Sequence, residues 1–492
     1  MNIMLINPPA YFSERLSCLS QNLALGYLAA YILEKSKNKH RINIIDAVAD
    51  GQDTILQLGE GKWERKRIGL KYEDILARIP IDTDIVGITG PFNHTAEIIA
   101  ELSKIIKTKY PDKLIILGGA FPSSLPERAL TSGVDYVVIG EGEIPMLQIA
   151  DGMEPREIQG VLYRDKNGAV MGHHGKANII SDLDEIPFPA RHLLPFEKYA
   201  NLSPRGMADS KTISIITSRG CPFDCSFCSI HSVYSRKWRS RTSENVLDEI
   251  EHCVTHYRVN HIEFEDDNLT IDKGRAIAIF EGIRDLRRRV NNTLDWSASN
   301  GFRIDTLDEE ILQKMKESGC THMVLAMEHG DPAILEAMDK RLDLAKVEEV
   351  AGICKKLNLN IHVFLMVGYP GETRESYLKS LRFSKHIKQL GAVKRFEVFI
   401  TNPVAGTRLA QYCKERGFLA DDPDLAAFGF LHQNYGGIIT PEFDSKEVCW
   451  RRKYAERALS PLIYRAAINN KQIILKFVPI KTVTGVMRKL GL

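Results

Sequence analysis

Apolar residues in the first part of the chain come in short, unbroken β-branched runs separated by longer amphipathic stretches. The runs are Ile3 to Ile6, Ile42 to Ile45, Ile85 to Thr89, Leu114 to Leu117 and Tyr136 to Ile139. A strand that is apolar at consecutive positions needs cover on both faces, so five such runs, each followed by a helical stretch, predict a doubly wound parallel sheet over residues 1–150. The loops after these strands carry Gly or Pro: Asn7-Pro8-Pro9, Gly90-Pro91, Gly118-Gly119 and Gly140-Glu141-Gly142. Open α/β sheets take ligands at the carboxyl ends of their strands, which makes these loops candidate contacts; ordinary tight βα connections are the competing explanation.

The pattern changes over 151–205, where Asp165-Lys166-Asn167-Gly168 reads as a hairpin turn and Pro187, Pro189, Pro195 and Pro204 read as an extended linker. Alternation resumes over 206–420. Strands are expected at Ile213 to Thr217, His261 to Glu265, Leu294 to Ala298, His322 to Met327, Ile361 to Val367 and Phe396 to Thr401. A helix from Leu307 to Ser318 is expected to start at a Thr306/Glu309 capping box. Six βα units in about 200 residues predict a partial (β/α)6 barrel of the TIM type, with its active site at the strands' carboxyl ends. Over 421–492 the signal weakens to a smaller, mostly helical region. Leu459, Leu462, Ile463, Ile473 and Ile474 sit there at helical spacing, as a docking or membrane-surface helix would place them, or as a packed helix with a solvated basic face would.

Composition agrees with soluble α/β domains: 44% apolar and 26% charged residues exclude a disordered or fibrous chain. No apolar run reaches the roughly 18 to 20 residues of a membrane span, and the N-terminus lacks the features of a signal peptide, so a cytoplasmic protein is expected. The net charge of +2 conceals an asymmetry. Ten Lys/Arg against the single acid Glu456 give +9 from Arg451 onward, leaving −7 for the rest. The basic end permits contact with an anionic substrate, a membrane-associated lipid at the inner membrane face or a protein partner, and no dedicated RNA-binding module is present to suggest nucleic acid.

Nine cysteines, an odd number, make a poor disulfide framework. Three of them form Cys221-Pro222-Phe223-Asp224-Cys225-Ser226-Phe227-Cys228, directly after the first barrel strand. Three thiolates on one short loop leave one iron of a four-iron cube open to a non-protein ligand. With His231 the same spacing also makes a Cys3His zinc set, although a barrel of this size has little need of a metal staple. Cys18, Cys253, Cys320, Cys354, Cys413 and Cys449 lie singly and are expected to be small buried side chains.

This C-x3-C-x-aromatic-C loop resembles that of the radical S-adenosylmethionine (radical SAM) superfamily, and the resemblance spans about Thr212 to Thr407. It implies that Cys221, Cys225 and Cys228 hold a [4Fe-4S] cluster whose fourth iron is chelated by SAM, and that Phe227 contacts the adenine. The acidic run Glu265-Asp266-Asp267-Asn268 stands where the family binds the methionyl amine, with Glu265 and Asp266 as the candidates. Ser299, Asn300 and Arg303 are candidates for the methionyl carboxylate, Glu328 for the ribose hydroxyls, and Gly368 in Val367-Gly368-Tyr369-Pro370-Gly371-Glu372 for the adenine. Pro403-Val404-Ala405-Gly406-Thr407 matches a family turn.

The preceding α/β domain, Rossmann- or flavodoxin-like, resembles the cobalamin-binding domain of one radical SAM subfamily. By that resemblance Pro8, Thr89, Gly118, Gly119, Ser124, Gly140 and Glu141 would line the corrinoid. The Asp-x-His-x-x-Gly ligand motif of other cobalamin proteins is absent; His94 is the one imidazole placed to approach a lower face, against a helix-start or core role. The implied activity is cobalamin-dependent methylation of an unactivated carbon in a small-molecule or lipid-like substrate, with electrons from a flavodoxin or ferredoxin. Another radical reaction, such as cyclisation, rearrangement or oxidation, and a non-catalytic metal- or corrinoid-binding module are the alternatives. No catalytic side chain of the protein is identifiable from the sequence.

Overall fold

The computed structural model describes residues 1–11, 21–57, 66–200, 211–291, 293–420 and 435–460. The five apolar runs become β1 (Asn2–Asn7), β2 (Arg41–Asp46), β3 (Ile85–Thr89), β4 (Leu114–Gly118) and β5 (Tyr136–Val138). All are parallel, in the order β5-β4-β3-β1-β2. Side chains alternate between two layers, which is why both faces are apolar. Met4, Ile6, Val86 and Ile88 pack under Ile99, Leu102 and Ile106, while Ile3, Leu5 and Ile85 pack on the other face against Leu25, Ala29 and Ile32 of helix α1 (Leu23–Lys35). The first three of these helical partners lie on α2 (Ala96–Lys109). Strand order reverses between β1 and β3, so the loops after these two strands flank the crevice where such sheets take ligands.

The segment read as a linker is part of this first unit. Its hairpin, β6 (Val161–Arg164) and β7 (Val170–Gly172), pairs antiparallel onto β5 and completes a seven-stranded sheet. Pro189 is not part of a loose connector either: a Cβ on Gly26 would meet it at 3.0 Å, and Ala190 donates to the Gly26 carbonyl; Pro204 lies outside the described residues. Two compact units result, one built on residues 1–200 with 220–222 and 229–240, the other on 223–228 and the chain from 241 onward together with the strand before the cysteine loop.

In the second unit the expected strands are β8 (Thr212–Ile215), β9 (His261–Phe264), β10 (Asp295–Phe302), β11 (Cys320–Glu328), β12 (Ile361–Val367) and β13 (Val393–Ile400), parallel and in sequential order. Among the described residues β8 and β13 remain at the edges, the arrangement of a partial barrel. On the outer face Phe264 meets Trp296 edge-on, and Trp296 stacks on Phe280 of α3 (Lys273–Arg289). The capping box proved wrong by two residues: α4 (Glu309–Glu317) is capped by Asp308, whose carboxylate accepts from Ile311, while Thr306 bonds Thr270 and the Arg303 carbonyl. A charged side chain directly before the first turn made the better cap.

The inner face of the sheet is polar. His261 lies between Asp295 and Ser297, and Ser297 donates to Glu263. Burial works against a charged ring, but Asp295 and Glu263 outweigh it and raise His261 to about 9. A pKa above its unfolded value contributes stability that is complete below about pH 6.5 and is lost as pH rises through about 9. Denaturant midpoints measured across that window should fall for the wild type, and His261→Gln should remove this part of the decline; identical pH profiles would contradict the charged network.

Candidate functional site

The cysteine loop has no regular structure of its own, and in the second unit three segments that come after barrel strands hold it. Ser226, between the second and third cysteines, donates its N–H to the Met338 carbonyl (2.9 Å), and its carbonyl accepts from Leu409 (2.9 Å). Its hydroxyl lies 2.7 Å from that of Tyr369. Arg408, at the start of α5 (Arg408–Glu415), reaches the Asp224 carbonyl and pairs with Asp339 at 2.6 Å. Phe223 lies under the Arg303 guanidinium, 3.6 Å from ring centroid to carbon.

Around Cys225 the charges are arranged by the ends of β10 and β11. Burial raises its thiol, the Lys340 and Arg303 cations pull it back toward thiolate, and Glu328 opposes them. Lys340 pairs with Glu328 at 3.2 Å, and Arg303 donates to the Lys340 carbonyl (2.9 Å) and pairs with Asp305 (2.8 Å). Glu328 follows a bulge and has φ +67, a left-handed conformation that a non-glycine residue adopts at a cost of roughly 1–3 kcal/mol. Ser299 Oγ and Arg303 Nε are buried without a hydrogen-bond partner. Such orphaned donors at the carboxyl end of a barrel strand fit a bound carboxylate.

None of the described cysteines is in a disulfide, so Cys221, Cys225 and Cys228 all keep the thiol that a cluster needs. His231 Nε2 faces the Cys221 carbonyl at 2.8 Å, so a metal could take this ring only through Nδ1. Among the described residues no three His, Cys, Asp or Glu side chains converge on a metal-sized point. The single cysteines Cys253, Cys320, Cys354 and Cys413 are buried, and burial pushes Cys354 up to about 12 and Cys413 to about 11. Cys449 is half-buried, and Cys18 lies outside the described residues.

The acidic run divides into different tasks. Asp266 is fully enclosed: it accepts from the Thr217 N–H (3.0 Å), the Thr217 hydroxyl (2.7 Å) and the Ser218 hydroxyl (2.5 Å), with Arg275 nearby. It ties the end of β8 to that of β9, and three of its roughly four acceptor positions are already taken. Glu265 accepts from Ser214 (3.1 Å) and Asn300 (3.3 Å), so Asn300 is engaged as well. The carboxylate passed over in the sequence is Asp267, half-buried, pushed up to about 7 by burial and by the charge of Asp266. Lys340 was also passed over; it follows a left-handed residue in an irregular turn that carries no periodicity. Phe227 is half-buried, and Gly368 has φ +81.

In the first unit several candidate corrinoid contacts hold the fold instead. Glu141 forms a buried ion pair with Arg239, and Lys176 donates to the carbonyls of His231 and Tyr234. Gly119, at φ +113, allows the Gly90 backbone to approach: a Cβ there would meet the Gly90 carbonyl oxygen at 2.8 Å. Gly140 donates to Ser123. Pro8 and Thr89 are buried at the strand ends, Ser124 is half-buried at the end of a short helix, and Gly118 has no atom closer to its Cβ position than 4.0 Å. His94 is buried, stacked on Phe92, and burial lowers it to about 4. It is a neutral residue just before α2.

The model of the Radical SAM superfamily matches residues 215–384, and that of the B12 binding domain matches 41–150. An uncharacterised methyltransferase of Pyrococcus horikoshii is 30% identical over 422 residues, 84% of this chain and 83% of that protein. The cytidylyl-2-hydroxyethylphosphonate methyltransferase of Streptomyces wedmorensis is 28% identical over 471 residues, 89% and 85% of the two chains. The fold is shared with the radical SAM methyltransferase TsrM of Kitasatospora setae, solved with cobalamin and a [4Fe-4S] cluster, at a TM-score of 0.67 and 17% identity over 94% of this chain and 89% of that one. Identity sustained over more than four-fifths of both chains, together with the two domain models in the order of the two folded units, shows that the chain belongs to the radical SAM enzymes that carry an N-terminal B12-binding domain.

Proposed function

We propose that the protein is a cobalamin-dependent radical SAM methyltransferase acting on an unactivated carbon. The observation that carries this reading is the set of groups gathered at the barrel's carboxyl end: a half-buried cysteine thiol, Cys225, flanked by Lys340 and Arg303, near orphaned donors on Ser299 and Arg303. The methyltransferase names of the relatives that span nearly the whole chain favour methylation over cyclisation or oxidation.

Cys221, Cys225 and Cys228 would hold the cluster. Ser299 and Arg303 would hold the methionyl carboxylate, Asp267 the ammonium, and the oxygen of Glu328 not paired with Lys340 a ribose hydroxyl. Pro8, Thr89, Gly118 and Ser124 remain as contacts for the corrinoid. When bound, the reduced cluster supplies the electron that opens the SAM sulfonium, and cobalamin supplies a transferable methyl group. The chain's own contribution is orientation: Arg303 fixes Phe223 and the Lys340 turn together, and Lys340 holds Glu328 in its left-handed conformation. Electrons would come from a flavodoxin or ferredoxin, and the substrate class remains small-molecule or lipid-like. No helix among the described residues is long and apolar enough to cross a membrane. The basic end is less exposed than its charge implies, because Arg451 and Arg452 are buried against Glu372 and Glu456; contact with the inner membrane face would fall to residues beyond 460.

After anaerobic reconstitution with iron and sulfide, the reduced protein should convert SAM to 5′-deoxyadenosine, and Cys225→Ala should abolish this. With substrate present, S-adenosylhomocysteine should accumulate alongside it; 5′-deoxyadenosine alone would point to a non-methylating reaction. An acid with a pKa of about 7 that binds an ammonium should tighten SAM binding about tenfold between about pH 6 and about pH 8. Titration calorimetry at several pH values checks this, and Asp267→Asn should flatten the profile. Asp266→Ala, by contrast, should cost roughly 3 kcal/mol in denaturant unfolding by stranding the donors of Thr217 and Ser218, whereas Asp267→Asn should cost nothing measurable.

A further inference from the structure

The turn Gly368 to Glu372 after β12 ends in a carboxylate with no exposure. Glu372 accepts from the Gly368 N–H (2.5 Å), which closes the turn on itself, and faces His329 Nε2 at 3.2 Å. Nδ1 of that ring accepts from the Asp331 N–H (3.1 Å), so Nε2 carries the hydrogen given to Glu372. The remaining partner is Arg451, from helix α6 (Ser445–Leu459), which is followed directly by the residues beyond 460. Its guanidinium donates to the Glu372 carboxylate (3.3 Å) and carbonyl (2.9 Å) and lies beside the rings of Tyr377 and Phe443. Tyr377 returns a hydrogen bond to the Arg451 carbonyl (2.9 Å). The fit is tight, since a Cβ on Gly368 would lie 2.9 Å from Val448 of the same helix.

The same turn also grips the cysteine loop. Tyr369 donates to the Ala337 carbonyl (2.8 Å) and meets Ser226 at 2.7 Å. A continuous buried path thus runs from the last described helix, through Arg451, Glu372 and Tyr369, to the residue between the second and third cysteines. We propose that α6 is a positioning element for the cofactor-binding end of the barrel, with Arg451 and Tyr369 as positioning residues that act on the 368–372 turn and on the loop 223–228. What those segments bind rests on the function proposed above; the mechanical link does not. Removing one member of a buried, hydrogen-bonded pair leaves the other charge unpaired, and the turn must open to hydrate it.

Hydrogen exchange on the full-length, cofactor-free chain tests the link. Arg451→Met should speed exchange at least about tenfold in both 368–372 and 223–228. Tyr369→Phe should speed it in 223–228 while 368–372 stays as in the wild type. Faster exchange in Arg451→Met that stops at 368–372, or stays within 445–459, would overturn the proposal. Should Arg451→Met fail to fold, Glu372→Gln keeps the shape, removes the charge, and carries the same expectation. In reconstituted protein, Arg451→Met should weaken SAM binding by equilibrium dialysis with iron content unchanged, and should alter the SAM-induced shift of the reduced cluster's EPR spectrum; wild-type affinity with a wild-type spectrum would count against it. A wild-type chain that bound no SAM would instead sink the proposed function, leaving the exchange comparison intact.

Discussion

Ser226 has its N–H, its carbonyl and its hydroxyl engaged by three separate segments of the barrel: the Met338 turn, the start of α5 and Tyr369. Within the loop Cys228 donates its N–H to the Cys225 carbonyl, but the backbone of Ser226 is satisfied from outside, so the surroundings help to set the loop's shape. The surroundings are themselves the ends of β11, β12 and β13 and the turns that follow. These segments together hold the six residues Phe223 to Cys228, and each must keep its own conformation for the loop to keep its shape.

Those segments are held by buried charge more than by apolar contact. Asp266 joins the ends of two strands through three donors, Lys340 restrains Glu328, and Arg451 restrains Glu372. Buried ion pairs add little to net stability compared with a well-packed apolar core, but losing one partner is expensive. They specify one arrangement and penalise the rest. The same device appears in the first unit, where Glu141 and Arg239 lie buried against each other.

The pattern of apolar runs made the strands legible because consecutive burial leaves a direct trace in residue type. Ile85–Thr89 and Ile361–Val367 fall where the pattern put them. The hairpin at Val161 to Gly172 was legible as a hairpin, but its addition to the first sheet depends on an edge that only the assembled sheet presents. The capping of α4 depended on which of two neighbouring oxygens reached the first turn.

By itself the sequence determined the two α/β units, the three-thiol loop and the strand ends where chemistry gathers, because hydrophobic period and motif spacing are local properties of the chain. Tertiary structure alone decided how the acids are used. On position alone Asp266 and Glu141 read as ligands, yet both are engaged by donors far along the chain, while Asp267, one residue away from the first, keeps a half-buried carboxylate with a raised pKa. It also brought in Lys340, Glu372 and Arg451. A charge's role depends on which partners the fold carries to it, and sequence distance says nothing about that.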